Sequence, residues 1–357
     1  MHLEKRISAL LEATQNWLNK DNEYLSTAYD QTVREGFFSF EDVKYALLAI
    51  REAVSETAVR DWVQRAGLSD TSSAEGQNVL CLHAGNIPLV GFQDAFAAIL
   101  SGATYYGKIS RKDPYLLPTF LNEVKKTGVF SDIDIQWVHS LKHLEGLQTD
   151  KILFAGSEDS VPGVKQRIEE LHLASSKTRY LVRTAHFSIA CLANPQDLRM
   201  EELVEAVFRY GGKGCRSVAI VVAPVGLDEV KSELTDHVRD FWSKNPQQES
   251  PGPRLKYRYA YNRAITRTQV WLNDFLLQEG GLEMDQDFIC YWVQGDEQKA
   301  AELAAGAGDR LQSVYVTDSE TRIPGFEERT ELLSVAQAPP LDWKPDGTDT
   351  LEWLTER

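Results

Sequence analysis

The sequence predicts an α/β protein: a three-layer domain on a largely parallel sheet, followed by a second α/β region. Three observations carry that prediction. From about residue 79, short apolar runs alternate with amphipathic helical stretches, the βαβ rhythm of a parallel sheet. Several of those runs end in a glycine-bearing or polar loop (HAGN, GKISRKD, AGSEDS), where folds of this kind gather their binding residues. At 357 residues, 43% of them hydrophobic, the chain is also long enough for two domains that each bury a core.

Along the chain, residues 1 to about 68 hold two helical patterns, one through Leu3, Ile7, Leu10, Leu11 and Leu18, the other through ALLAIREAVSETAVRDWVQRAG. Their apolar residues recur at helical spacing and read as packing surface. LSDTSSAEGQN, 68 to 78, is polar and Ser/Gly-rich and reads as a linker. NVLCLHAGN is then a strand ending in a glycine loop, PLVGFQDAFAAILSG a helix and ATYYGKIS a second strand. A helix begins near Leu116, DIQWVHS and KILFAGS supply two more strands, and VPGVKQRIEELHL is a helix.

HFSIACLA is strand-like, and PQDLRMEELVEAVFRY is a helix with acidic residues near its start, where they oppose the helix dipole. GGKGCRSVAIVVAP follows, a glycine-rich turn that carries Cys215 directly before a buried strand, and a domain boundary is placed near it. Beyond lie a helix over about 227–243, the polar linker SKNPQQESPGPR and a long helical candidate, LKYRYAYNRAITRTQVWLNDFLLQ. DFICYWV and LQSVYVT read as strands separated by the helical AAELAAGAGD. The tail has a PDG turn and a short apolar helix or strand.

Charge and composition narrow the function classes. With 38 Lys and Arg against 53 Asp and Glu, the net charge of -15 disfavours general nucleic-acid binding, though a local pocket can still receive an anionic ligand. No apolar run reaches the roughly 18 residues of a membrane span, and the first residues lack the apolar core of a secretory signal. Cys81, Cys191, Cys215 and Cys290 form no CxxC pair, so they read as free thiols in a reducing compartment, and the expected location is cytoplasmic. No set of histidines has metal-ligand spacing, so no metal is expected.

Cys215 leads the candidates for chemistry. The glycines just before it allow close approach, and Lys213 and Arg216 favour a thiolate if they face the sulfur; a small buried residue before a strand is the plainer reading. Asn86, in the HAGN loop, can donate its amide to a developing oxyanion or simply stabilise a turn. Lys108 and Ser110 stand where a strand gives way to a loop and can bind ribose or phosphate oxygens, or belong to a solvated cluster with Arg111 and Lys112. Gly156 and Ser157 lie in a phosphate-loop-like AGSEDS that lacks both GxxxxGK[ST] and GxGxxG. His186, which begins the strand before the cysteine segment, can move a proton or serve as an ordinary hydrogen-bonded residue.

Taken in order, these segments resemble the aldehyde dehydrogenase superfamily, and more closely its acyl-CoA reductase branch, the family of the fatty-acid reductase of bacterial bioluminescence. YGGKGCRSV is similar to that branch's CGKGCRNV-like segment, which puts the family nucleophile on Cys215. AQAPPLDWKPDGTDTLEWL is similar to its closing AQxPxLxDYxDGxDTxxFL pattern. The resemblance runs from about 79 to the end. By position it assigns an oxyanion role to Asn86 through HAGNIPL, adenosine contact to Lys108 through GATYYGKIS, and the cofactor phosphates to Gly156 and Ser157 through FAGSEDS.

What the resemblance implies is an aldehyde-dehydrogenase-like fold: a three-layer Rossmann-type cofactor domain at 71–208 and an α/β catalytic domain at 209–335. A helical segment at 1–70 precedes them, and 336–357 returns to the cofactor or assembly region. The implied activity is reduction of a fatty acyl thioester, on CoA or an acyl carrier, to an aldehyde through an acyl-Cys215 intermediate. The implied cofactor is NADPH, with NADH as the alternative. An acyl-transfer or acyl-activating partner, homo-oligomerisation and a place in lipid metabolism belong to the same implication.

One departure stands out. Where the oxidising enzymes carry a Glu in an ELGG segment to activate water, this chain reads TAHFSIA, with His186 near that position. Three alternatives stand beside the reductase reading: a CoA-dependent or ordinary aldehyde dehydrogenase working oxidatively, a thioester hydrolase, and a non-catalytic acyl-carrier or partner-binding protein.

Overall fold

The computed structural model describes residues 2–246, 251–280 and 288–356. The chain forms two compact units, one of residues 1–184 with 339–357, the other of 185–338.

The first unit begins with four helices, α1 (Leu3–Trp17), α2 (Glu23–Arg34), α3 (Phe40–Ala53) and α4 (Glu56–Arg65). The single pattern expected over ALLAIREAVSETAVRDWVQRAG is divided between the last two. The break comes at Ser55, whose extended backbone lets its side chain accept the Ala58 N–H and start a new helix. Then follow β1 (Asn78–Leu82), α5 (Phe92–Leu100), β2 (Thr104–Lys108), α6 (Leu116–Lys126), β3 (Ile135–Val138), β4 (Thr149–Ala155), α7 (Val161–Glu170) and β5 (Ala174–Arg183).

All five strands are parallel, in the order β3-β2-β1-β4-β5. Alternation along β1 feeds two cores: Val79 and Cys81 join the one built with α1, α5 and α6, while Leu80 and Leu82 join a smaller one with Ile168 of α7. The tail ends in α12 (Thr350–Thr355), in the same unit. Its capping residue Asp349 also accepts the Trp62 indole N–H at 3.0 Å, and Lys151 Nζ donates to the Leu354 and Glu356 carbonyls at 2.6 Å each.

The second unit holds β6 (Phe187–Cys191), α8 (Met200–Phe208), β7 (Val218–Ala223), α9 (Leu227–Lys244), α10 (Pro253–Ala264), β8 (Gln269–Leu272), β9 (Phe275–Glu279), β10 (Ile289–Gln294), α11 (Glu297–Ala307), β11 (Leu311–Val316) and β12 (Thr330–Leu332). Its sheet runs β12-β11-β6-β7-β10-β9-β8, parallel except for the β8–β9 hairpin.

Three expectations need correction. The boundary falls between Thr184 and Ala185 and not near 208, because β6 hydrogen-bonds to β7 and β11 and so lies inside the second sheet. The long helical candidate stops at Ala264: Asn273 and Asp274 both take positive φ, 48° and 67°, and turn QVWL back on FLLQE as a hairpin. The segment 68–78 joins elements of one unit, with Ala74 fully buried and its N–H donated to the Ser101 carbonyl at 3.0 Å. Of the polar linker SKNPQQESPGPR, residues 247–250 lie outside the described residues. Among the described residues no helix is long and apolar enough to cross a membrane.

Candidate functional site

In the first unit the strand order reverses direction between β1 and β4, and the loops after these strands and after β2 share one edge of the sheet. Such a switch point leaves a crevice at the carboxyl ends of the strands, the usual dinucleotide site of doubly wound folds. Asn86, Lys108, Ser110, Gly156 and Ser157 all lie at this edge.

The Asn86 loop is tightly built. The His83 N–H donates to the Lys108 carbonyl at 3.1 Å, and Gly85 lies so close to the β2 loop that a Cβ there would stand 2.3 Å from Ser110 Oγ. Leu89 is held at φ 57° while donating its N–H to Asp113 Oδ2 at 2.7 Å. Asn86 itself is exposed. Burial and neighbouring Arg111 lower the pKa of half-buried Lys108. Past β4, the Gly156 N–H donates to the Arg183 carbonyl at 3.1 Å, and a Cβ on Gly156 would lie 2.5 Å from the Phe154 ring. Ser157 is exposed, and its carbonyl accepts both the N–H and the hydroxyl of Ser160.

Two buried groups support this edge. His83 shares a 2.6 Å hydrogen bond with the Tyr105 hydroxyl, and burial lowers its pKa to about 4, so it is a neutral framework residue at neutral pH. Asp113 was not singled out in the sequence; burial raises its carboxyl to about 6 against the pull of the Leu89 and Leu116 N–H groups. Its only local signal is an Asp-Pro pair ahead of a helix.

In the second unit Cys215 sits in a turn of residues 214–217, closed by the Ser217 N–H on the Gly214 carbonyl at 2.9 Å, immediately before β7. Of the four free cysteines it alone is partly exposed. Burial raises the thiols of Cys81 and Cys290 and pushes Cys191 up to about 12, which leaves those three inert. His186 is exposed just before β6, the strand beside β7, and its N–H donates to the Arg310 carbonyl at 2.8 Å. Cys215 and His186 therefore precede neighbouring strands of one sheet. The sequence missed three buried polar side chains around the cysteine turn, Ser188, Ser217 and Gln337.

No family model and no curated protein matches the sequence. Solved structures do match. Aldehyde dehydrogenase 21 from Physcomitrella patens, determined with the reaction product succinate, aligns with a TM-score of 0.70 at 11% identity over 99% of this chain and 84% of that one. An NAD-dependent benzaldehyde dehydrogenase from Corynebacterium glutamicum gives 0.62 at 14% identity over 88% and 76%. A lactaldehyde dehydrogenase gives 0.64 at 13% over 88% and 74%.

The fold is that of the aldehyde dehydrogenases. In its terms the first unit contains the Rossmann-like domain and the second corresponds to the other α/β domain of that fold. The expectation of a reductase that turns acyl thioesters into aldehydes is corrected by the same comparisons. The three structures named above are dehydrogenases of aldehydes, one of them holding a carboxylic acid as its product, and no acyl-CoA reductase is among them.

Proposed function

We propose that this protein is an NAD(P)-dependent aldehyde dehydrogenase that works in the oxidative direction, with Cys215 as its nucleophile. The observation that carries the reading is the state of Cys215: in a chain with this fold, it is the one cysteine left partly exposed, on a turn pinned ahead of a buried strand.

The dinucleotide cradle is assigned to Lys108, Ser110, Gly156 and Ser157. A fit is supported by the absence of a side chain at Gly156, by the switch-point position of its loop and by the cation at the end of β2. When bound, the oxidised dinucleotide supplies the hydride acceptor.

The rest of the chemistry belongs to the chain's own residues. The Cys215 thiolate adds to the aldehyde carbonyl, whose oxygen becomes negative and is stabilised by hydrogen-bond donors. Loss of hydride leaves an acyl group on Cys215 as a thioester. Water or a thiol such as CoA then attacks it, releasing an acid or a new thioester, and sulfur departs as thiolate. His186 is assigned as the proton carrier for that second half, in the segment where a Glu is absent.

The test is absorbance of reduced cofactor from aldehydes of short to long chain, with NAD+ or NADP+, with and without CoA. Aldehyde-dependent reduction by the wild type and its loss in Cys215→Ala are expected. A Cys215→Ala protein as active as the wild type, or no reduction across the whole panel, overturns the reading.

A further inference from the structure

We infer that Ser188, Ser217 and Gln337 are positioning residues that aim Cys215 through the backbone of its turn. The inference rests on the reading of Cys215 as nucleophile. All three side chains are buried, with relative exposures of 0%, 2% and 3%. Burying a hydroxyl or amide is unfavourable unless it is hydrogen-bonded, so three of them around four residues is a specific arrangement and not general core filling.

Each bond constrains the turn from a different side. Ser217 Oγ accepts the Gly214 N–H at 3.1 Å, which locks the two ends of the turn beyond the backbone bond already there. Ser188 reaches from β6: its hydroxyl donates to the Cys215 carbonyl at 3.0 Å and its N–H donates to the Ser217 carbonyl at 2.9 Å. Gln337 Nε2 donates to the Ala206 carbonyl of α8 at 2.9 Å and reaches Ser217 Oγ at 3.4 Å. The backbone of the turn at Gly214, Cys215 and Ser217 is thereby referred to a neighbouring strand, a helix and the chain after β12.

This network also gives a physical reason for two distant sequence features to occur together. Gln337 belongs to AQAPPL, and Ser217 to GGKGCRSV; they meet at one hydroxyl. A thiol held in one orientation reacts faster than one on a loose turn, because less freedom is lost on reaching the transition state.

The test is carbamidomethylation of Cys215 by iodoacetamide in the full chain over pH 6 to 10, mapped by peptide mass, with thermal unfolding measured alongside. Ser217→Ala and Gln337→Leu are expected to slow the reaction at neutral pH about fivefold, the factor that corresponds to one hydrogen bond of roughly 1 kcal/mol, and to displace the pH profile. Ser217→Thr, which keeps the oxygen, is expected to restore the wild-type profile. If both deletions lower the melting temperature but leave the pH profile on that of the wild type, the residues are merely structural and the proposal is overturned. Should Ser217→Ala fail to fold, Gln337→Leu and Ser188→Ala read out the same network. A wild-type Cys215 that resists alkylation at every pH overturns the nucleophile reading itself, a result separable from the first.

Discussion

Replacing Asp113 by Asn should change how the stability of the first unit depends on pH, and the direction follows from burial. The carboxyl is 5% exposed, and burial raises its pKa from 3.8 to about 6. Between those values the folded protein holds a proton that the unfolded chain has lost. The stabilisation is thus full below pH 3.8 and is lost as pH rises through 6. A shift of about two units corresponds to roughly 3 kcal/mol.

His83 works in the opposite sense over the same range. Burial lowers its pKa from 6.5 to about 4, so its contribution is present above pH 6.5 and is lost as pH falls through 4, again by roughly 3 kcal/mol. In the wild type the two slopes largely cancel between pH 4 and 6. Asn cannot ionise, yet its oxygen can still accept the Leu89 N–H; its NH2 group would occupy the place of Oδ1, which has no donor partner now. Leaving that NH2 unsatisfied costs about 1–2 kcal/mol, so Asp113→Asn should gain about 1–2 kcal/mol at pH 7.5. From pH 6.5 down to 4.5 it should lose stability on an unopposed His83 slope. Urea unfolding of both proteins at pH 4.5, 5.5, 6.5 and 7.5 measures this, and taking the difference removes every other titrating group. Parallel curves at all four values would refute the reasoning.

Three further outcomes are expected. Iodoacetamide should label Cys215 alone in the native protein, since Cys81, Cys191 and Cys290 are buried with raised pKa values; labelling of any of those three ahead of unfolding, read by peptide mapping, contradicts their packing. Gly156→Ala places a methyl 2.5 Å from the Phe154 ring, so it should cost about 1–2 kcal/mol in chemical unfolding and weaken NAD(P)+ binding at least tenfold by calorimetry; wild-type affinity would remove Gly156 from the cradle. Trp62→Phe takes the indole N–H from the buried Asp349 carboxylate that also caps α12, and a loss of about 1–3 kcal/mol is expected by urea titration.

How much of the fold could be read in advance depended on what each segment buries. Strands β1, β2 and β4 are central, and both faces of β1 are covered, so they show as compact apolar runs. β5 lies at the sheet edge and, after Ala174, runs through the exposed Ser175, Ser176 and Lys177, so it shows no such run. The β8–β9 hairpin was hidden because its turn is Asn-Asp, without a glycine, between segments whose apolar residues also satisfy helical spacing. The displaced domain boundary has a similar origin. HFSIACLA is an apolar run whatever sheet it enters, and only its pairing with β7 and β11 assigns it to the second.

The candidate site shows the same division between local and distant information. Cys215 is legible because its glycines are adjacent to it, whereas Ser188 lies 27 residues before the carbonyl it binds and Gln337 lies 120 residues after Ser217. No local pattern records such pairs. The direction of the reaction is further still from local sequence. A thiol nucleophile, a donor to its oxyanion and a cradle for a dinucleotide serve oxidation and reduction equally, because the same tetrahedral stages are crossed in either direction. The absent Glu bears on a different step, the supply of water to the acyl group, and a thiol acceptor makes it unnecessary. The TAHFSIA segment therefore bears on the identity of the acyl acceptor and is independent of the direction of hydride transfer.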